Sequence, residues 1–240
     1  MHLIMGVHAI RELLTHAPER LLRLFTSRKS HPDILKACEK QNIPISFVSE
    51  QELSKMVDSD SHQSLVAQVK PRHFLDVKEF LQHIADKETA FILMLDQIFD
   101  PQNFGAILRS AECFGVDGVI WSKNRGADLT PVVAKASSGA SELLPLIRVS
   151  NLADSIDKFQ KEGFEVVTAL LDPTSQSAFQ FTFAPKTVLI VGSEGEGIQP
   201  LLQKKADRSI YIPMQGKIQS LNVAQATAVL LSLKIKAENG

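Results

Sequence analysis

The chain has 240 residues, of which 44% are hydrophobic and 22% are charged, and its formal net charge is −1. No apolar run approaches the length of a membrane-spanning helix, and the two cysteines are too few for a disulfide framework or a metal cluster. The N-terminus has no signal-peptide pattern, so a cytoplasmic location is expected. A net charge of −1 does not indicate nucleic-acid binding, so a nucleic-acid partner would have to bind to a local basic patch.

Residues 1–70 are predicted to form a small α/β domain in which helical and extended patterns alternate. Ser49 and Glu52 have the spacing of a capping box at the start of a short helix. Residues 71–89 are interpreted as a linker with one helix, for which Asp76 is the expected N-cap. The patterns of the small domain are, in chain order, helix 7–16, strand 20–27, helix 31–41, strand 43–49, a helix ending at 57 and strand 64–70.

Residues 90–240 are predicted to form a larger α/β domain. Near-continuous apolar strands alternate with helices, which is typical of a mostly parallel sheet covered on both faces. The predicted strands are 91–96, 118–122, 142–149, 165–171, 187–192 and 208–214, and the predicted helices are 103–115, 131–138, 151–162, 198–206 and 221–236.

All seven histidines precede residue 84, so the larger domain contains none. If this domain is catalytic, it works without histidine as a base or as a metal ligand. A Ser-His-Asp hydrolase and a zinc enzyme with histidine ligands are therefore disfavoured, and no metal is expected.

The stretch DPQNFGAILRSAECFG follows the first strand of the larger domain, which ends at Asp96. Its apolar residues have helical spacing, and Arg109 lies about 140° around the helix from Phe104, away from the expected core. Asn103 stands at the predicted start of this helix, where an N-cap role competes with a role in a site. For Arg109 the competing interpretation is an ordinary surface arginine.

The stretch VLIVGSEGEGIQP joins an apolar strand to a glycine loop. Its spacing matches neither the dinucleotide fingerprint nor a phosphate-binding loop. Gly192 has no Cβ, so a ligand can approach its backbone closely. Glu194 would repel a phosphate and suits a cationic ligand or a hydrogen-bond donor, although it is equally compatible with a charged loop tip.

The third stretch, IYIPMQGKIQSLNVAQA, is predicted to contain a strand that ends at Pro213 and a long helix that begins at Ser220 or Leu221. Ser220 is a good N-cap, whereas Asn222 in the first turn is unexpected, because asparagine is a mediocre helix former. Each of the three stretches places polar residues where a strand ends and a helix begins. Together they are expected to line one rim of the sheet.

These three stretches, in this order, resemble the SpoU-type RNA 2′-O-ribose methyltransferases of the SPOUT superfamily. The stretch GADLTPVVAKASSGASELLPL between the first two is also similar to the family. Residues 1–70 resemble the L30-like RNA-binding domain of the subgroup that methylates ribosomal RNA, with HQSLVAQV as its closing strand. Ser64 stands where the family usually has glycine.

The resemblance implies a trefoil knot in the larger domain, which the pattern of elements alone does not reveal. It implies S-adenosylmethionine as the cofactor, a homodimer, and methyl transfer to a ribose 2′-hydroxyl of ribosomal RNA, with a guanosine of 23S rRNA as the expected target. By the same resemblance, the cofactor-binding residues are Gly192, Gly197, Ile212, Met214 and Leu221, and the catalytic residues are Asn103, Arg109, Glu194, Ser220 and Asn222.

The implied reaction is a displacement at carbon, so the alignment of oxygen, methyl group and sulfur matters most. The hydroxyl must lose its proton to Arg109, to Glu194 or to the RNA itself. Because a guanidinium keeps its proton at neutral pH, we interpret Arg109 as a clamp on an RNA phosphate that also stabilises the developing alkoxide. Glu194 would either orient Arg109 or contact the substrate.

Two other functions remain open at this point. One is the same chemistry on transfer RNA, although the tRNA-directed members of the family usually carry short helical extensions in place of an L30-like domain. The other is a non-catalytic RNA-binding protein with the same fold. In either case, the candidate phosphate contacts of the small domain are Arg11, Arg20, Arg23, Arg28 and Lys29.

Overall fold

The computed structural model describes residues 2–27, 31–193, 195–218 and 220–239. Three residues that the sequence analysis singled out, Arg28, Lys29 and Glu194, lie outside the described residues. In chain order the helices and strands are β1 (His2–Met5), α1 (Val7–His16), β2 (Leu21–Thr26), α2 (Pro32–Lys40), β3 (Ile45–Phe47), α3 (Glu50–Val57), β4 (Leu65–Val69), α4 (Val77–His83), β5 (Ala90–Asp96), α5 (Pro101–Cys113), β6 (Gly118–Ser122), α6 (Pro131–Ala136), α7 (Ala140–Leu143), β7 (Leu146–Val149), α8 (Leu152–Lys161), β8 (Glu165–Ala169), β9 (Gln176–Ser177), β10 (Lys186–Gly192), α9 (Pro200–Lys205), β11 (Arg208–Tyr211) and α10 (Val223–Asn239).

The chain divides into two compact units. The first comprises residues 1–73 and 128–143, and the second comprises residues 74–127 and 144–240. Residues 128–143 belong to the first unit because α6 and α7 pack against β1 and α1. The assignment of residues 1–70 to RNA binding and of residues 90–240 to catalysis stays a prediction.

The first unit has a four-stranded sheet in the order β1-β4-β2-β3, in which β4 is antiparallel to both of its neighbours. Helices α1 and α2 pack in one core cluster of this unit, whereas α3 packs in a separate cluster with Met5 and Val66. The capping box of α3 is confirmed, since Ser49 Oγ accepts from the Glu52 N–H at 3.2 Å and the Glu52 carboxylate accepts from the Ser49 N–H at 2.8 Å. Strand β1 was not predicted, because its four residues are too few for a periodic pattern.

The second unit has a seven-stranded sheet in the order β7-β6-β5-β10-β8-β11-β9, in which every pairing among the described residues is parallel. Alternate strand residues such as Ile92, Met94 and Ile120 pack with α4, α8 and α9 in one core cluster. Helices α5 and α10 pack against each other. Phe104 of α5 contacts Trp121, which adjoins Ile120 and so faces the other side of the sheet, at a ring-centroid distance of 5.3 Å. The predicted α/β fold with a mostly parallel sheet is confirmed.

Helix α4 lies within the segment interpreted as a linker, residues 71–89. Asp76 is its N-cap, as predicted, and accepts from the Glu79 N–H at 2.8 Å. Val77 and Phe80 are buried in the core of the second unit. The strand predicted to start at residue 142 begins at residue 146 instead, because Glu142 belongs to α7.

Candidate active site

The first and second motifs begin on neighbouring strands. β5 and β10 pair in parallel, and their last residues, Asp96 and Gly192, lie opposite each other in the register. The segments that follow these strands therefore leave the sheet side by side at its carboxyl edge. This is the edge at which open α/β sheets hold their ligands.

Helix α5 carries Asn103 and Arg109. The helix begins at Pro101 and its N-cap is Asp100, whose carboxylate accepts from the Gln102 N–H at 3.0 Å. The N-cap interpretation of Asn103 is therefore wrong, and Asn103 lies half-buried in the first turn. Arg109 is exposed, as predicted, and forms no hydrogen bond or ion pair with the part of the chain that the structure describes.

Helix α10 begins later than predicted, at Val223. Its first turn is capped by Asn222, whose Oδ1 accepts from the backbone N–H of Ala224 at 2.9 Å and from that of Gln225 at 3.4 Å. The prediction that the helix begins at Ser220 or Leu221, with Ser220 as its N-cap, is wrong. Ser220 is exposed and precedes the helix by three positions.

A hydrogen bond joins the first motif to the third. Asn222 Nδ2 donates to Asn103 Oδ1 at 2.9 Å, across 119 positions of sequence. Asn222 thereby uses its oxygen to cap α10 and its nitrogen to hold the first turn of α5. The expectation that these two motifs lie together at one rim of the sheet is confirmed.

The glycine loop after β10 folds back on itself. The Gly197 N–H donates to the Ser193 carbonyl at 3.1 Å, and Gly195 and Gly197 have positive φ angles of 92° and 70°. A Cβ at Gly192 would overlap the Gly197 carbonyl and lie 2.6 Å from the Ile198 nitrogen. Gly192 is therefore required by the packing of its own loop, a reason that the sequence did not show.

The remaining cofactor candidates are apolar and incompletely covered. β11 ends at Tyr211, earlier than predicted and two residues before Pro213, and Ile212 and Met214 in the following segment are half-buried. Leu221 is 37% exposed, immediately before the cap of α10. The structure places Ile212 and Met214 in the segment that leaves the same edge of the sheet as Gly192.

A further loop at this edge follows β8. The Thr174 hydroxyl and the Thr174 N–H both donate to the Asp172 carboxylate, each at 2.6 Å. These hydrogen bonds lower the pKa of Asp172 to about 2. The Asp172 carboxylate therefore stays ionised to a lower pH than an ordinary aspartate does.

A contact between Asp96 and Gln199 was not predicted from the sequence. Asp96 is fully buried at the end of β5, and its carboxylate accepts from both the backbone N–H and the side-chain amide of Gln199. The one signal in the sequence that marks Asp96 is its position at the end of an otherwise apolar strand. The partner, 103 positions away, has no such signal.

Three of the candidate phosphate contacts are engaged within the first unit. Arg11 donates to Asp33 at 2.8 Å, Arg20 donates to Glu142 at 2.6 Å, and Arg23 donates to a serine hydroxyl at 2.9 Å. An RNA phosphate would therefore have to compete with, or add to, these contacts. Their role in RNA binding stays a prediction.

Ser64 keeps the turn for which the family usually uses glycine. Its φ angle is +60°, in the left-handed region, and its hydroxyl donates to the Glu50 carboxylate at 2.6 Å. Its N–H also donates to His62 Nδ1 at 3.1 Å. Ser64 thus has a left-handed backbone conformation, which is costly for a residue with a Cβ, together with a hydrogen bond from its hydroxyl to Glu50.

Among the described residues, no three or more side chains of the metal-binding types cluster in a way that could hold an ion. None of the helices in this described part of the chain combines the length and the hydropathy of a membrane span.

Comparison with known proteins identifies both parts of the sequence. Residues 90–232 match the model of the SpoU rRNA methylase family, and residues 3–75 match that of the RNA 2′-O ribose methyltransferase substrate binding family. The chain is 35% identical over 232 residues to the 23S rRNA (guanosine-2′-O-)-methyltransferase RlmB of Haemophilus influenzae, which covers 95% of this chain and 94% of that protein. It is 36% identical over 233 residues to RlmB of Escherichia coli K12, with 95% and 96% covered.

A solved structure shares the fold over almost the whole chain. The SpoU methyltransferase AviRb from Streptomyces viridochromogenes, crystallised in complex with the cofactor AdoMet, superposes with a TM-score of 0.81 at 24% identity. The similarity covers 99% of this chain and 90% of that chain. With its motifs gathered at one edge of a parallel sheet and its relatives aligned end to end, the chain belongs to the SpoU rRNA methylase family.

Proposed function

We propose that this protein transfers a methyl group from S-adenosylmethionine to the ribose 2′-hydroxyl of a guanosine in 23S rRNA. The relatives from Haemophilus influenzae and Escherichia coli, named for this activity, align with nearly the whole chain. The observation that carries the proposal is the hydrogen bond between Asn222 and Asn103, because it joins two motifs beside the glycine loop.

S-adenosylmethionine would bind between the glycine loop and the segment that follows β11. Ile212 and Met214 are half-buried and Leu221 is 37% exposed, so apolar surface is left there to cover an adenosine. Gly192 and Gly197 present backbone groups rather than side chains. None of these five residues is basic, which fits a cofactor that has no phosphate. When bound, the cofactor supplies the methyl group on a cationic sulfonium.

Arg109 is proposed to hold a phosphate of the RNA next to the reacting ribose. Its guanidinium is exposed and forms no hydrogen bond or ion pair with the described residues, so its donors are available to a ligand. A guanidinium binds phosphate through paired N–H donors, and its charge also stabilises an alkoxide. Asn103 and Asn222 would shape the pocket, and Ser220 and Glu194 are proposed to complete it.

We also propose an RNA-binding domain, a chain topology, an oligomeric state and a location for this protein. Residues 1–70 are proposed to bind the RNA as an L30-like domain, which the match of residues 3–75 to a substrate-binding family supports. The larger domain is proposed to contain the trefoil knot of its family, and the enzyme is proposed to act as a homodimer. Because its substrate would be ribosomal RNA, a cytoplasmic location is proposed.

Methylation of 23S rRNA by the purified full-length chain tests this function. Mass spectrometry of digested RNA would locate a 2′-O-methylguanosine, and resistance to alkaline cleavage would confirm its position. Methylation of tRNA alone would favour the tRNA-directed members of the family. An absence of both methylation and cofactor binding would favour the non-catalytic alternative.

Arg109→Ala tests the clamp. The variant is expected to slow methyl transfer by about 100-fold or more, while the Kd for S-adenosylmethionine in calorimetry stays within about twofold. Lys158→Ala, which removes an exposed positive charge from α8, is the matched control and should change neither quantity. Equal loss of transfer and of cofactor affinity in Arg109→Ala would contradict the clamp.

A further inference from the structure

Asp96 is a buried carboxylate in an apolar strand. Its exposed fraction is 0%, and it is the last residue of β5, after six apolar residues. A charge removed from water is costly unless hydrogen bonds stabilise it. Asp96 therefore depends on the donors that reach it.

Gln199 supplies these donors. Its backbone N–H donates to Asp96 Oδ2 at 2.8 Å, and its side-chain Nε2 donates to Asp96 Oδ1 at 2.6 Å. Both carboxylate oxygens are thus engaged by one residue. Because an ionised carboxylate only accepts, the Gln199 amide must present its nitrogen to Asp96.

Arg125 fixes the other end of the same amide. Its Nη1 donates to Gln199 Oε1, so the amide oxygen faces a cation and the amide nitrogen faces an anion. Rotating the amide by 180° would break both contacts. The three side chains form a hydrogen-bond network in which the orientation of the Gln199 amide is fixed at both ends.

The hydrogen bonds between Asp96 and Gln199 close the glycine loop. Gly192, at the start of the loop, pairs with Asp96 in the sheet, and Gln199, at the end of the loop, is bonded to the Asp96 side chain. Between them, Gly195 and Gly197 adopt positive φ angles and have no side chains to restrict the backbone. One residue of β5 therefore holds both ends of the loop.

We propose that Asp96 is a positioning residue that keeps the described part of the glycine loop, residues 193 and 195–198, in the conformation that receives the cofactor. The inference rests on the proposed function, because it takes the loop as part of the S-adenosylmethionine site. Asp96 acts through Gln199 and itself touches neither the cofactor nor the RNA.

Reversing the hydrogen bond tests this role. In Asp96→Asn, the amide oxygen can accept from only one of the two Gln199 donors and the new amide nitrogen faces the other. In Gln199→Glu, two carboxylates face each other. In the double variant D96N/Q199E, the new amide nitrogen donates to the new carboxylate, whose second oxygen still accepts from Arg125. The double variant also keeps a single negative charge in the pair.

The expected result is a weakened loop in each single variant and its rescue in the double variant. The Kd for S-adenosylmethionine, measured by calorimetry on the full chain, should rise about tenfold or more in each single variant and return to within about threefold of the original in D96N/Q199E. In steady-state kinetics, the KM for S-adenosylmethionine should rise with the Kd, while the KM for RNA stays unchanged.

Hydrogen exchange adds a readout that needs no cofactor. The Gly197 N–H, bonded to the Ser193 carbonyl at 3.1 Å, should exchange faster in Asp96→Asn and be protected again in the double variant. Asp207→Asn is the matched control, because Asp207 also accepts from a backbone N–H, that of Val166 at 2.8 Å, and from a glutamine amide at 3.0 Å. It should leave the Gly197 exchange rate and the cofactor Kd unchanged.

Two results would overturn the positioning role: unchanged cofactor affinity in Asp96→Asn, or a double variant no better than the single ones. An equal loss of affinity in Asp207→Asn would overturn it as well, since the effect would then be one of general stability. Failure of the original chain to bind S-adenosylmethionine would instead refute the proposed function, and this inference with it.

Discussion

The hydrogen bonds of the Asn222 side chain lead to a quantitative prediction for the start of α10. Its Oδ1 accepts from the Ala224 N–H at 2.9 Å, and its Nδ2 donates to Asn103 at 2.9 Å. Loss of an N-cap costs about 1 kcal/mol, and loss of a side-chain hydrogen bond costs about 1 kcal/mol. Asn222→Ala is therefore expected to lower the free energy of unfolding by about 2 kcal/mol.

Asn222→Ser separates the two contributions. Serine is a good N-cap, but its side chain is too short to reach Asn103, so a loss of about 1 kcal/mol is expected. Urea unfolding of the full chain, followed by circular dichroism, measures the difference. Equal losses for the two variants would refute the capping role of Asn222. An unchanged stability of Asn222→Ser would refute the contribution of its bond to Asn103.

Three further predictions concern single sites. Gly192→Ala places a Cβ against the Gly197 carbonyl, so it should displace the loop and weaken S-adenosylmethionine binding in calorimetry; normal affinity would contradict this. Because the pKa of Asp172 is lowered from 3.8 to about 2, its stabilising contribution is present above about pH 4 and is lost as the pH falls toward 2. Asp172→Asn should therefore lower the melting temperature at pH 7 but progressively less below pH 4, and a pH-independent difference would argue against the assignment. Burial raises the pKa of the Cys38 thiol to about 11, so a thiol reagent at pH 8 should modify only the exposed Cys113 until denaturant is added; two reactive thiols in the folded chain would disprove it.

Local signals were sufficient for much of the secondary structure. The capping box at Ser49 and the N-cap at Asp76 depend only on residues three positions apart, and both are present. The apolar stripe of α5 likewise predicted that Phe104 is buried and that Arg109 is exposed. Such signals are readable because helical geometry relates neighbours in sequence directly to neighbours in space.

Local signals failed where two polar residues competed for one helix start. At α5, both Asp100 and Asn103 suit an N-cap, and Asp100 prevails with Pro101 in the favoured first position. At α10, Ser220 and Asn222 have similar capping propensities. Asn222 caps the helix while its amide nitrogen bonds to Asn103 of another helix, a partner that capping statistics do not contain.

The fold class and the three motifs could be predicted from the sequence. Both depend on residues that are close together in the chain, namely apolar strands that alternate with helices and polar residues that follow the strands. Which residues meet was decided by the tertiary structure alone. The strand order places β5 beside β10, although eight elements, α5 through β9, separate them in the chain. That adjacency brings Asp96 to Gln199 across 103 positions, and the packing of α10 against α5 brings Asn222 to Asn103 across 119 positions. Local patterns do not encode such contacts, because a hydrogen bond depends on distance in space.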